Sequence, residues 1–349
     1  MKRIRVLIIE DSRVIRELLA HLIGQDPRLE VAGSVGSAEE ALDLLCRVSP
    51  GVISMDIRLP GMNGFEATRR IMAQRPTPIV VVSASVESED LNITMNALRA
   101  GALSVVEKPV GTAHADYEAL AERLCTQLAI MSQVRVVRQR FAPARAAVVA
   151  SPARKWKPGS FRAVGIAAST GGPNALAKLL GEWPPDFPLP ILLVQHLTAS
   201  FVEGFVSWLD SACPFTVEIA RDGELPLPGR VYVAPPDRHL QLAGGALQVD
   251  GGEMVCFQRP SGTVLFRSLA RSLGPRALGV LLTGMGEDGA AGLLEIRQAG
   301  GYTLAEDEST AVVYGMPAAA VRQGAACESL PLPAIGPRVL ELIAQDQEP

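Results

Sequence analysis

FRAVGIAASTGGPNALAKLL, residues 161–180, passes from an apolar run through Ser-Thr-Gly-Gly-Pro into a helix-like pattern. A short apolar run closed by turn residues reads as a buried strand, and strand, tight turn and helix together make the repeating unit of a parallel α/β sheet. Ser169 stands at the turn and has three readings. It is an N-cap, since Ser or Thr ahead of an early Pro is an ordinary helix start. It belongs to a phosphate-cradling loop. Or it is a nucleophile. The phosphate reading is weak, because ASTGGP lacks both G-x-G-x-x-G and the G-K-[ST] of a P-loop.

The same alternation continues beyond this stretch. PILLVQHL, FTVEIA, RVYVAP, HLQLAG, ALGVLLTG and YTLAED read as strands. NALAKLLGEW, FVEGFVSWLDSA, TVLFRSLARSLG and GAAGLLEIRQAG read as helices. A doubly wound α/β domain over 161–349 follows, with some antiparallel strands in its middle. On the N-terminal side, strands IRVLIIE, EVAGSV, GVISMDI, PIVVVSA and ALSVVEK each precede a helical pattern. Five such units predict a second α/β domain over 1–125, a five-stranded parallel sheet of flavodoxin-like order. Residues 126–160 separate the two. The stretch is rich in Arg and Lys, carries prolines at 143, 152 and 158, and lies within a run free of acid from Glu122 to Glu182. It reads as a solvated basic linker, or as an arm that docks an acidic partner or a membrane surface.

Composition narrows the function classes. The 349 residues are 48% hydrophobic and 20% charged, with a net charge of −4, which suits a folded, soluble protein of about two domains. A slightly acidic chain with 5% aromatics is a poor nucleic-acid binder. No helix-turn-helix pattern occurs in the C-terminal half. Five scattered cysteines without a C-x-x-C pair point to reduced thiols and a cytoplasmic protein, not to disulfides or a zinc site. No apolar run is long enough to span a membrane, and the N-terminus reads as a first strand, not a signal peptide.

Ligands of open α/β sheets gather at the C-terminal ends of the strands. In the first domain Glu10, Asp11, Asp56, Ser83 and Lys108 all fall there. Carboxylates crowded in one crevice require a cation, and Mg²⁺ suits oxygen ligands that also meet a phosphoryl group. An aspartate beside such an ion can accept a phosphoryl group, with the Ser83 hydroxyl and the Lys108 ammonium on its oxygens. In the second domain a serine nucleophile needs an imidazole and a carboxylate. Of four histidines, His21 and His114 lie in the first domain, on its surface. His196 ends PILLVQHL at the sheet edge that also carries Ser169. His239 opens a later strand, where it is a second functional histidine or a structural hydrogen-bond partner. Asp288 lies in the glycine-rich turn of LLTGMGEDGAAG, whose amides can face a developing oxyanion.

VLIIEDS, MDIRLPGMNGFEA, VVSAS and EKPV resemble the receiver domain of two-component response regulators. The resemblance implies Asp56 as phosphoacceptor and Glu10, Asp11 and the Arg58 carbonyl as Mg²⁺ contacts. It implies Ser83 and Lys108 as the phosphoryl switch, a cis Lys108–Pro109 bond and a sensor histidine kinase as phosphodonor. GIAASTGGP, VQHL, VYVAPPDRHL, QRPS, LLTGMGEDGAAG and YGMPAAA resemble the catalytic domain of the CheB family of chemotaxis protein-glutamate methylesterases. That implies Ser169 as nucleophile, His196 as general base, Asp288 as its orienting carboxylate and the Met285 N–H as oxyanion donor, with no cofactor in this domain. The implied reaction demethylates γ-glutamyl methyl esters on chemoreceptor cytoplasmic domains and deamidates receptor glutamines, under control of receiver phosphorylation. Departures from the family pattern are Glu10 in an acidic pair that is commonly Asp-Asp, QHLTAS, RPSGTV and the stretch GGEMVCFQ. A catalytically silent regulator, and a hydrolase acting on another ester or another methyl-accepting receptor, are the rival readings.

Overall fold

The computed structural model describes residues 3–83, 94–98, 100–109, 117–134, 136 and 161–345. The chain forms two compact units, Met1–Arg145 and Ala146–Pro349.

In the first unit, strands β1 (Ile4–Ile9), β2 (Leu29–Val35), β3 (Val52–Met55), β4 (Ile79–Ser83) and β5 (Ser104–Glu107) form one parallel sheet in the order β2-β1-β3-β4-β5. β3 and β4 are buried throughout, as a parallel sheet covered on both faces requires. Three helices start where a polar side chain accepts an otherwise unused backbone N–H. Ser12 caps α1 (Arg13–Gln25), Ser37 caps α2 (Ala38–Val48) and Asn63 caps α3 (Gly64–Gln74). The helix after β5, α4 (Tyr117–Met131), buries Leu124, Leu128 and Met131, so it continues past the expected start of the linker at 126. His114, most of the helix expected after β4 and residues 137–160 of the linker lie outside the described residues.

The second unit is built on a seven-stranded sheet in the order β14-β13-β12-β6-β7-β9-β8, parallel throughout. β6 (Ala163–Ala168) is central, between β7 (Ile191–Gln195) and β12 (Ala277–Leu281), and all three are completely buried. β8 (Thr216–Ile219) and β9 (Arg230–Val233) extend one side. β13 (Tyr302–Glu306) and β14 (Glu328–Leu330) extend the other. The chain therefore reverses direction across β6, and such a switch point opens a crevice at the strands' C-terminal ends. Helices α5 (Gly172–Gly181), α6 (Ala199–Ala212), α7 (Gly262–Leu273) and α8 (Ala290–Gln298) follow the expected pattern. The expected antiparallel element is a separate hairpin of β10 (His239–Ala243) and β11 (Ala246–Asp250). β11, β14 and two C-terminal helices, α9 (Met316–Arg322) and α10 (Leu332–Gln345), are additions to the strands and helices read from the sequence. Leu265, Phe266 and Leu269 of α7 enter the same core as Leu281, Leu293 and Tyr232. That packing fixes the start of α7 relative to the crevice.

Candidate functional site

The acidic crevice of the first unit assembles as the strand ends predict. Glu10, Asp11 and Asp56 can each bring one carboxylate oxygen within 4.8 Å of the others. Glu10 and Asp56 are buried, and Asp11 is exposed. Lys108 Nζ lies 2.9 Å from Glu10 Oε2 and 2.8 Å from Asp56 Oδ2. Burial, and then the Asp56 charge, push the Glu10 carboxyl up to about 7, against the pull of Lys108. Burial likewise raises Asp56, while the two carboxylates overcome the cost of burying Lys108 and raise its pKa. Both ion-paired oxygens lack a partner in hydrogen-bond alignment. Two buried carboxylates that one ammonium only partly compensates fit a divalent cation. The Arg58 N–H donates to Asp56 Oδ1 at 3.3 Å, so Arg58 reaches this site through its backbone. Ser83 is buried at the end of β4, where its carbonyl accepts the Lys108 N–H. The Lys108–Pro109 bond is a correction: among the described residues the cis X–Pro bond is Arg259–Pro260. An X–Pro bond prefers trans by only about 0.5–1 kcal/mol, so local sequence does not decide the isomer.

In the second unit Ser169, His196 and the Thr283–Asp288 turn follow β6, β7 and β12, three adjacent strands. The cap reading of Ser169 fails. The N-cap of α5 is Gly171, at φ +80°, and no side chain caps this helix. A Cβ at 171 would meet Val312 Cβ at 2.5 Å, so the turn is reserved for glycine by space as well as by dihedral. Ser169 is held through its main chain instead. Its N–H donates to the Thr283 carbonyl at 3.0 Å, and its carbonyl accepts Gln195 Nε2 at 2.8 Å. Thr283 Oγ1 donates to the Thr170 carbonyl at 2.9 Å. The Ser169 hydroxyl makes no hydrogen bond among the described residues.

His196 is paired with Asp288 by 2.9 Å between Nε2 and Oδ2, and the two side chains are only 6% and 2% exposed. Nδ1 is then the imidazole nitrogen that does not face Asp288. No hydrogen bond joins Ser169 Oγ to His196 among the described residues, and contacts of this kind commonly tighten only when substrate is bound. Asp288 also accepts Ser261 Oγ at 2.6 Å, the Gly262 N–H at 2.6 Å and the Thr263 N–H at 3.1 Å. Burial pushes this carboxyl up, but hydrogen bonds from His196, Ser261 and Thr263 outweigh it and leave a pKa of about 2. The carboxylate's contribution is complete above its ordinary pKa of 3.8 and is lost as pH falls toward 2. It amounts to about 2 kcal/mol. Urea titrations of wild type and Asp288→Asn between pH 5 and pH 2 measure it: the wild type should lose this increment and the variant should not.

Gly284 brings the Thr283–Asp288 turn against Ser169. A Cβ there would lie 2.7 Å from Ser169 Cβ. The next residue, Met285, has an N–H with no partner among the described residues, available to a developing oxyanion beside Ser169. His239 belongs elsewhere. Buried, it joins Glu253 O (2.9 Å to Nε2) to the Ser261 N–H (3.2 Å to Nδ1), and so supports the residue that holds Asp288. His21 is on the surface, beside Gln25.

Sequence reasoning missed Gln195, Ser261, Thr283 and the buried Glu306, whose Oε2 accepts the Thr283 N–H at 2.9 Å. Ser261 had a signal, a Ser just before a helical run in RPSGTV, and it does cap α7 through the Val264 N–H. Gln195 had none, because it acts on a main-chain carbonyl 26 residues away.

Comparison with known proteins matches these two sites to two families. Residues 6–116 match the response regulator receiver domain, and residues 164–339 match the CheB methylesterase. A protein-glutamate methylesterase/protein-glutamine glutaminase of Paramagnetospirillum magneticum is 58% identical over 98% of each chain. One from Myxococcus xanthus is 47% identical over 96% of each. The Thermotoga maritima CheB methylesterase catalytic domain superposes with a TM-score of 0.51 at 36% identity, covering 52% of this chain and 98% of that one. A receiver crevice, a strand-end serine one strand from an imidazole–carboxylate pair, and near full-length similarity agree: the chain belongs to the CheB methylesterase family and carries a response regulator receiver domain at its N-terminal end.

Proposed function

We propose that residues 161–349 hydrolyse γ-glutamyl methyl esters on methyl-accepting chemoreceptors and deamidate receptor glutamines, under control of a receiver over 1–125 joined by a basic linker over 126–160. The observation that carries this reading is the His196–Asp288 pair, one strand away from a serine whose hydroxyl makes no hydrogen bond among the described residues. Ser169 Oγ attacks the ester carbonyl while His196 Nδ1 takes its proton. Asp288 holds the imidazole and faces the imidazolium that forms. The Met285 N–H faces the oxyanion. Methanol, or ammonia from a glutamine, leaves with the proton returned by His196. Water then attacks the acyl-enzyme in the same way and restores Ser169.

In the receiver, Glu10, Asp11, Asp56 and the Arg58 carbonyl would hold Mg²⁺, which supplies charge neutralisation for phosphoryl transfer when bound. Asp56 accepts the phosphoryl group from a sensor histidine kinase. Lys108 and Ser83 then turn to its oxygens, so that Lys108 exchanges a carboxylate partner for a phosphoryl one. Among the described residues no helix is long and apolar enough to cross a membrane. All five cysteines are free thiols, which supports a cytoplasmic site of action.

The test is methanol release from membranes bearing methyl-esterified chemoreceptors, with and without a small-molecule phosphodonor and Mg²⁺. The wild type should release methanol, faster with the donor. Asp56→Asn should show no response to the donor. Absence of methanol from every receptor tried, in both phosphorylation states, would refute the substrate assignment.

A further inference from the structure

Residues 251–261, between β11 and α7, end at the catalytic carboxylate and expose apolar surface beside it. Ser261 closes the segment and donates to Asp288 Oδ1 at 2.6 Å. The loop is anchored at several points. His239 holds Glu253 and Ser261, and an Arg259 guanidinium nitrogen donates to the Gly252 carbonyl at 3.0 Å. Val255 and Gln258 exchange two main-chain hydrogen bonds, of 3.1 and 3.0 Å, around a tight turn. The two residues inside that turn, Cys256 and Phe257, have φ of +51° and +60°. Asn and Gly ordinarily fill such positions. Phe257 is 94% exposed, and Met254 is 59% exposed.

Neither folding nor backbone preference accounts for a phenylalanine here. Its ring is left in water, and its main chain is held where a side chain is unfavourable. Its location supplies a reason. Phe257 is four positions before Ser261, so their Cα atoms are at most about 14 Å apart. The Cys256 thiol lies within electrostatic range of Asp288 and Glu287. Met285, on the oxyanion turn, is also 47% exposed. A protein that presents a glutamyl ester to Ser169 comes within reach of the turn.

We propose that Phe257, presented by the anchored Val255–Gln258 turn, is a specificity-determining residue that packs on an apolar side chain flanking the esterified glutamate of the protein substrate. The occupant is the substrate and not a second copy of this chain, because the turn leads directly into Ser261, which holds Asp288. The inference rests on the methylesterase reading given above.

The experiment compares full-length wild type, Phe257→Asn and Phe257→Leu on methyl-esterified receptor membranes and on 4-nitrophenyl acetate. Asn accepts the left-handed backbone, so Phe257→Asn should melt at the wild-type temperature or above it. Its kcat/KM on the receptor should nevertheless fall roughly 10- to 100-fold, chiefly through KM, with small-ester turnover unchanged. Phe257→Leu should recover most of the loss. Unchanged receptor kinetics in Phe257→Asn would overturn the proposal. So would an equal loss on both substrates, since the turn would then act on the triad. A wild-type dimer in sedimentation, dissolved by Phe257→Asn without an effect on receptor kinetics, would assign the ring to self-association instead. If the wild type cleaves the small ester but no receptor, the methylesterase reading itself fails and takes this inference with it.

Discussion

Ser169→Ala is expected to lower methanol release by roughly 10⁴-fold or more, which is the usual consequence of removing the nucleophile from a serine triad. It should do so without destabilising the protein. Had Ser169 been the cap of α5, its loss would cost about 1 kcal/mol. The cap is Gly171, and the Ser169 hydroxyl has no hydrogen-bond partner among the described residues. The bonds that place this residue run through its N–H and carbonyl, which alanine keeps. Unfolding free energy should therefore stay within about 0.5 kcal/mol of wild type. Urea denaturation and initial-rate methanol assays on the same preparations decide the matter. Retention of a tenth of the activity would remove Ser169 from the chemistry. A large stability loss would show that the hydroxyl has a structural partner after all.

Asp288→Ala should fail on both counts. Four donors converge on this carboxylate: His196 Nε2, Ser261 Oγ and the Gly262 and Thr263 N–H groups. Alanine leaves them facing a buried void, and breaking a buried charged network of this kind costs about 3–5 kcal/mol. Asp288→Asn keeps the volume but offers one acceptor oxygen where there were two, so its stability should fall between wild type and Asp288→Ala. Its activity should drop roughly 10⁴-fold all the same, because an amide neither holds the imidazole in the required tautomer nor balances the imidazolium. Equilibrium unfolding and kcat for the two variants separate the roles. Near wild-type turnover by Asp288→Asn would show that the carboxylate charge is not used in catalysis.

Much of this was legible in the sequence, for physical reasons. Parallel strands buried on both faces are short, nearly continuous apolar runs, and IAA, ILLV and GVLL announced β6, β7 and β12. Because ligands collect at strand C-termini, residues just past each run were already candidates: Ser169 and His196 directly follow β6 and β7, and Asp288 lies in the turn after β12. What stayed hidden depends on long-range pairing or on very short elements. β14 has three residues and no period to detect. β11 did have a signal, since Gly244 and Gly245 both adopt positive φ between two alternating runs. Whether Ser169 caps α5 could not be read from residues 161–180 alone. The answer depends on Gly171 taking the cap position, and on Thr283 and Gln195 holding the main chain from distant parts of the chain.

The start of α7 deserves a designer's eye. The carboxylate paired with the imidazole also sits where the first amides of a 12-residue helix point. Its negative charge is thus matched by the positive end of the helix dipole before any proton moves. In the proposed mechanism the imidazole gains and loses a proton in each cycle while the carboxylate keeps a constant companion. Anyone transplanting this triad to another scaffold would have to carry that helix end along with the three side chains.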